Sequence, residues 1–264
     1  MVEFTSVVGV PLRYDRATGT SYGGKGLAMK FSAAPQLKTA LDKACAELWQ
    51  RLPEGRPSIL LTGGILAEKA GEHAKGAAFD FDGFWHGERR FMADDYPQRK
   101  AYYCGIQAVL MKHFGVVINW HWVNRRGQQD HKDHWHIDLS APIGWRPGGK
   151  SCVLCAQTIL RDVWGQALTI DGSYGAKTAG AFAAIGIDPK EDWMKFLDRT
   201  ADRAFGAAPV VADPDKPSAW AAEDWARAEE LGLLDGTRPH DTVTREELAV
   251  VALRLLDKAT PPAG

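Results

Sequence analysis

His73-Ala74-Lys75-Gly76-Ala77-Ala78-Phe79-Asp80-Phe81-Asp82 is the stretch from which the rest of the chain can be read. From Ala78 onward apolar and acidic residues alternate. A period of two is that of a half-buried strand, with the phenylalanines on one face and Asp80 and Asp82 on the other. Further on, His134-Trp135-His136-Ile137-Asp138-Leu139 alternates in the same way, setting His134, His136 and Asp138 against Trp135, Ile137 and Leu139. Two more apolar runs read as strands, Ser58–Thr62 before the Gly63-Gly64 break and Val116–Trp120. Leu37, Leu41, Cys45, Leu48, Trp49 and Leu52 recur at helical spacing until Pro53-Glu54-Gly55 stops them. Gln98 to Phe114 is a second helix, with Tyr102, Ile106, Val109, Leu110 and His113 along one side. Helices mixed with short strands in this order predict an α+β fold, a small antiparallel sheet flanked by helices.

The chain has 264 residues, 45% of them hydrophobic and 10% aromatic, with 32 Lys and Arg against 33 Asp and Glu, so the formal net charge is −1. That balance excludes disorder, and without a basic excess nucleic acid is not an expected partner. No apolar run approaches the ~20 residues of a membrane helix, so no membrane partner is expected either, and the chain reads as a monomer. Met1-Val2-Glu3-Phe4-Thr5 lacks the basic and apolar regions of a secretory signal, which predicts synthesis in the cytoplasm and reduced thiols at Cys45, Cys104, Cys152 and Cys155. The Cys152-x-x-Cys155 pair stands alone in an apolar periodic run and reads as core.

Composition changes at Pro142–Lys150, a Pro/Gly-rich stretch. The expected organisation is a catalytic domain over 1–147 and a small all-α module over 148–206. A proline-rich linker at 207–217 and a helical unit with its tail at 218–264 complete it. In 148–206, Val153–Trp164 and Lys177–Ile185 read as helices joined by a turn at Asp171–Gly175. In the last unit, Ala221–Leu231 and Thr244–Asp257 do. Segments joined by such linkers usually fold independently.

Seven of the eight histidines lie between His73 and His136. His73 and Asp80 on one segment, with Asp133, His134 and His136 on the other, supply imidazole and carboxylate at two places that sheet formation can unite. Catalytic zinc asks for three such ligands and one open position. Gly76 and Ala77 let the backbone turn between the first two. Asp82 shares a face with Asp80 and is its nearest competitor. Asp82 and Asp138 read equally as exposed strand residues or as groups orienting the imidazoles. His86, His113 and His121 read as ordinary core or surface residues.

His73-x-x-Gly76-x-Ala78-x-Asp80 with Asp133-x-x-His136 resembles the signatures of the zinc-dependent peptidoglycan peptidases: D-alanyl-D-alanine carboxypeptidases, phage L-alanyl-D-glutamate endopeptidases and the murein endopeptidase with a His-x-His motif. Over Tyr102–Leu139 the chain is especially similar to the extensin-like C-terminal branch, and the whole resemblance covers roughly residues 25–145. It implies Zn2+ held by His73, Asp80 and His136, a metal-activated water, and Asp133 as general base. His131 and His134 match the extra active-site histidines of the murein endopeptidase type. His134 is the alternative base, or a donor to the developing oxyanion. These peptidases commonly place a substrate-polarising arginine before the first histidine. Here Thr62-Gly63-Gly64-Ile65-Leu66-Ala67-Glu68-Lys69 holds none, leaving Lys69, Lys75 or His134 as sources of positive charge.

Val153–Leu160 followed by Asp171-Gly172-Ser173-Tyr174-Gly175-Ala176-Lys177-Thr178 is similar to the peptidoglycan-binding helical domain. Ala219–Asp257 resembles one S-layer homology unit, in which Thr244 and Glu247 also make an ordinary capping box. Together the resemblances imply a phage-type endolysin that cuts a stem-peptide amide at the bacterial cell wall, with peptidoglycan and a secondary wall polymer as partners. A catalytically silent wall-binding or virion structural protein that keeps the fold is the alternative, favoured by the missing arginine.

Overall fold

The computed structural model describes residues 1–64 and 71–206. In chain order the elements are β1 (Val2–Phe4), β2 (Ser6–Val7), β3 (Val10–Tyr14), β4 (Leu27–Ala28), β5 (Phe31–Ala33), α1 (Pro35–Arg51), β6 (Ile59–Gly64), β7 (Ala78–His86), β8 (Arg89–Met92), α2 (Lys100–His113), β9 (Val116–Ile118), β10 (Trp135–Asp138), α3 (Lys150–Asp162), α4 (Ala176–Ala184) and α5 (Trp193–Phe205). The expected α+β class is borne out. Among the described residues β2-β3-β6-β7-β10-β9 form one sheet, with β4 beside β3 and β8 beside β7. All its pairings are antiparallel except β3 with β6. β1 pairs separately with β5.

Alternation sorts the sheet into two faces. Phe79, Phe81, Trp135 and Ile137 are fully buried, and Tyr103 of α2 stacks on Trp135 with ring centroids 4.2 Å apart. Each such side chain contributes roughly 1.5–3 kcal/mol by leaving water. Asp80, Asp82, His136 and Asp138 point to the opposite face, where the expense of burying charge has to be met by partners.

The helices after residue 150 continue the same core. Cys155, Ile159, Phe182, Phe196 and Leu197 belong to one apolar cluster with Leu48, Tyr103 and Trp135. Buried polar contacts cross the same seam: Gln107 Nε2 donates to Cys155 O at 3.0 Å, and Asn119 Nδ2 donates to Thr158 Oγ1 at 3.2 Å. Met1–Ala208 is accordingly one compact unit, the first of the two into which the chain divides. The boundary expected at 147 falls inside the first. The expected linker at 207–217 and the S-layer-like unit at 218–264 lie outside the described residues. All four cysteines are buried free thiols.

Candidate metal centre

Register builds the centre. β10 lies antiparallel to β7 with His136 directly opposite Asp80, and such cross-strand pairs hold their Cβ atoms about 4.5–5.5 Å apart. His73 comes from a 3-10 turn, His73–Lys75, closed by Gly76 at φ +64°. Glycine takes that left-handed conformation without strain. A Cβ on Gly76 would lie 2.2 Å from Met1 Cε and 3.3 Å from the Ala34 nitrogen. The Ala34 N–H donates to Gly76 O at 2.9 Å, fastening the turn to the start of α1.

His73 Nε2 is 3.0 Å from His136 Nδ1 and 3.1 Å from Asp80 Oδ1, and His136 Nδ1 is 3.3 Å from the same oxygen. A tetrahedral ion with arms of about 2.0–2.1 Å separates its ligand atoms by roughly 3.3 Å. The triangle fits that span, and His73, Asp80 and His136 form a group able to hold a metal ion. His73 and Asp80 are buried and His136 half-buried. The other ring nitrogen of His136 faces Asp138 Oδ2 at 3.0 Å, and such a carboxylate fixes tautomer and ring orientation. Asp138 is held in turn by the Ser140 N–H at 2.7 Å and Ser140 Oγ at 2.6 Å. His73 Nδ1 is buried without a hydrogen-bond partner. Burial opposes a charge on His136, but Asp138 and Asp80 outweigh it and push its pKa up to about 9. The pocket thus favours positive charge at this point, whether proton or metal ion.

His134 stands between this group and Asp133. Its Nδ1 is 2.7 Å from Asp133 Oδ1, and its Nε2 is 3.6 Å from Asp80 Oδ1. His131 is adjacent, with its ring centroid 4.8 Å from that of His134 and 5.9 Å from that of His136. Its pKa is lowered to about 4 by burial and by His134, against the pull of Asp130, whose Oδ1 lies 2.9 Å from Nδ1. All six residues singled out from the sequence are therefore neighbours. Asp82 is not part of the triangle: it is fully buried and its Oδ2 accepts from Arg16 Nε at 2.7 Å.

Arg16 is the residue that sequence reasoning missed. It follows β3, whose parallel pairing sets Tyr14 beside Thr62 of β6, so the chain two residues later reaches the Gly63-Gly64 end. A Cβ on Gly63 would lie 2.8 Å from both Arg16 Nε and Asp82 Oδ1, so glycine leaves room for the pair. Nη1 of Arg16 donates to Asp133 Oδ2 at 2.7 Å and Nη2 to Asp133 O at 3.3 Å. Tyr22 donates its hydroxyl to the same carbonyl at 2.7 Å, with its ring under the guanidinium at 5.1 Å. Burial would raise the pKa of Asp133, but His134 and Arg16 hold it well below the usual carboxylate range. Burial raises that of Asp82 against the pull of Arg16, and the neighbouring Asp15 adds to the rise. The sequence signals only that Thr18–Gly26 is a Gly/Ser/Thr-rich loop.

The other charges lie elsewhere. His113 binds Glu47 at 2.8 Å, and His121 contacts the Tyr96 hydroxyl at 2.7 Å. Lys75 pairs with Glu72 at 2.7 Å, and Lys69 lies outside the described residues. Compared with protein-family models, curated proteins and solved structures, the chain has no match.

Proposed function

We propose that the protein is a zinc-dependent peptidase that hydrolyses an amide bond in the peptidoglycan stem peptide. The observation that carries this reading is the convergence of two imidazole nitrogens and one carboxylate oxygen within 3.3 Å of one another, with the Asp133–His134 pair alongside. Two histidines and one carboxylate leave a fourth position open, the arrangement of catalytic rather than structural zinc. Zinc bound there supplies Lewis acidity and lowers the pKa of water to about 7.

The chain's own residues supply the remainder. Asp133, kept ionised by His134 and Arg16, accepts the proton, and His134 relays it or donates to the carbonyl oxygen as it gains charge. Asp138 keeps His136 in one orientation. The silent-protein alternative drew on the lack of an arginine before His73. Arg16 does not fill that place, since its guanidinium is engaged by Asp82 and Asp133, and His134 is the donor left for the carbonyl oxygen. Peptidoglycan as substrate, and a phage-type lysin acting at the wall, rest on the motif resemblance.

The test is metal content by atomic emission, together with release of free amino and carboxyl ends from purified peptidoglycan. About one zinc per chain and release that stops on chelation are expected, and both should be lost in His73→Ala/His136→Ala. Stoichiometric zinc retained by that double variant would overturn the ligand assignment. A zinc-loaded chain that releases nothing from sacculi or soluble stem peptides would overturn the activity.

A further inference from the structure

We propose that Arg16 is a positioning residue of this site, holding the Asp133 carboxylate in the orientation in which it accepts a proton. The inference rests on the reading of Asp133 as base. Three of the guanidinium's five N–H donors are engaged: one to Asp82 and two to Asp133, at its carboxylate and its backbone carbonyl. Asp82 is fully buried on β7, two residues from the ligand Asp80. Arg16 therefore ties the base to the strand that carries the ligand and does not leave it to the loop before β10. A planar fork fixes both distance and angle, which a lysine ammonium cannot do. His134 occupies the remaining Asp133 oxygen, and the Tyr22 hydroxyl donates to the carbonyl at 2.7 Å. The Asp133 side chain is 37% exposed, so without this bracket it would rotate into water, and a misplacement of about 1 Å can cost on the order of a hundredfold in rate.

An arginine that touches substrate and one that acts through Asp133 differ in a double-substitution cycle on the zinc-loaded full-length chain. Arg16→Met should lower kcat by about 10- to 100-fold with KM within about threefold and zinc content unchanged. In an Asp133→Asn background the same change should alter kcat by less than about twofold. Arg16→Lys, which keeps the charge beside Asp82, should remain at least about fivefold down. It serves as the reading should Arg16→Met fail to fold. Free methylguanidinium should restore part of the kcat of Arg16→Ala. An independent cycle of the same pair on urea stability, read without substrate, should be non-additive.

Parent-like kcat in zinc-loaded Arg16→Met, or an equal loss in both backgrounds, would overturn the inference while leaving the peptidase reading intact. An Asp133→Asn chain that turns over normally would overturn it as well, since there would be no base to position. Should the parent chain cut no peptide at all, the peptidase reading fails. Coupling in urea would then assign the Arg16–Asp133 pair to stability alone.

Discussion

On the peptidase reading proposed above, Asp133 and His134 divide between them the proton that hydrolysis must remove. The two are 2.7 Å apart, and His134 Nε2 lies 3.6 Å from Asp80 Oδ1. Asp133→Asn should keep fold and zinc yet reduce kcat by orders of magnitude, and His134→Ala should reduce it less, both measured on a soluble stem peptide. Turnover of metal-loaded Asp133→Asn within a few-fold of the parent would refute the assignment. The candidate ligands were legible because their chemistry is local: His73-x-x-Gly76-x-Ala78-x-Asp80 places imidazole, turn and strand carboxylate in one short segment. Arg16 was not legible, because only the β3–β6 pairing brings it to Asp133. Gly76 tests the local part. Alanine there meets φ +64° and the Met1 side chain, so Gly76→Ala should lower stability by about 1 kcal/mol and weaken zinc affinity by shifting His73. A zinc dissociation constant equal to the parent's, by competition with a chromogenic chelator, would show that the turn does not set the ligand.

Elements with strong periodicity were readable in advance. β7 and β10 form where their sequences predict strands, although β7 is buried on both faces from Ala78 to Phe84 where a half-buried strand was expected, and α1 and α2 begin and end within a few residues of their expected bounds. α5 was not anticipated, although Trp193, Phe196, Leu197, Thr200 and Ala201 fall on one helical face. Their spacing of three and four, with charged residues on the opposite face, is a helical period, so α5 was legible in the sequence. The short strands β1, β2, β4 and β5 have two or three residues each and carry too little pattern to read. α5 is fastened by charge as well as by packing. Asp198 accepts from Lys112 of α2 at 2.6 Å and from Arg51 of α1, and Glu47 accepts from Lys112 and from Arg51 at 2.8 Å. Burial opposes the Glu47 charge, but His113, Lys112 and Arg51 outweigh it and lower its pKa from 4.5 to about 2. A depressed folded-state pKa stabilises above the unfolded value and is lost as pH falls through the folded one. The margin of the parent over Glu47→Gln should therefore be full above about pH 5 and fade toward pH 2. Solvent screening keeps it below an upper bound on the order of 3 kcal/mol. Urea midpoints of both chains from pH 6 to pH 2.5 give the answer, and a margin independent of pH would mean that Glu47 is not depressed.

At the scale of the whole molecule, the proline- and glycine-rich stretch around residues 142–150 looks like a boundary because its composition is that of a linker, but composition does not report what packs on either side. α2 is buried along almost its entire middle, from Tyr103 to Met111. α3 covers it through Gln107 and Cys155, and α5 through Phe205, whose ring centroid lies 5.3 Å from that of Tyr102. The sheet that carries the candidate metal centre leans on α2 through Tyr103 and Trp135, so support for the site passes from α3 and α5 through α2 to β10. A chain ending at Gly149 would lose Ile159, Leu160, Phe182, Phe196 and Leu197 together, all 0–1% exposed. At roughly 1.5–3 kcal/mol for each buried side chain, that loss is comparable to the whole stability of ordinary domains, about 5–15 kcal/mol. Such a chain should show no cooperative thermal transition, a weak near-ultraviolet circular dichroism signal and strong dye binding, and it should bind zinc poorly. A chain ending at Ala208 keeps every one of these contacts and should melt cooperatively. If instead the Gly149 chain melted cooperatively with a zinc-loaded centre, the helices after residue 150 would be an appended module, and the shared core would not be what holds β10 in register with β7.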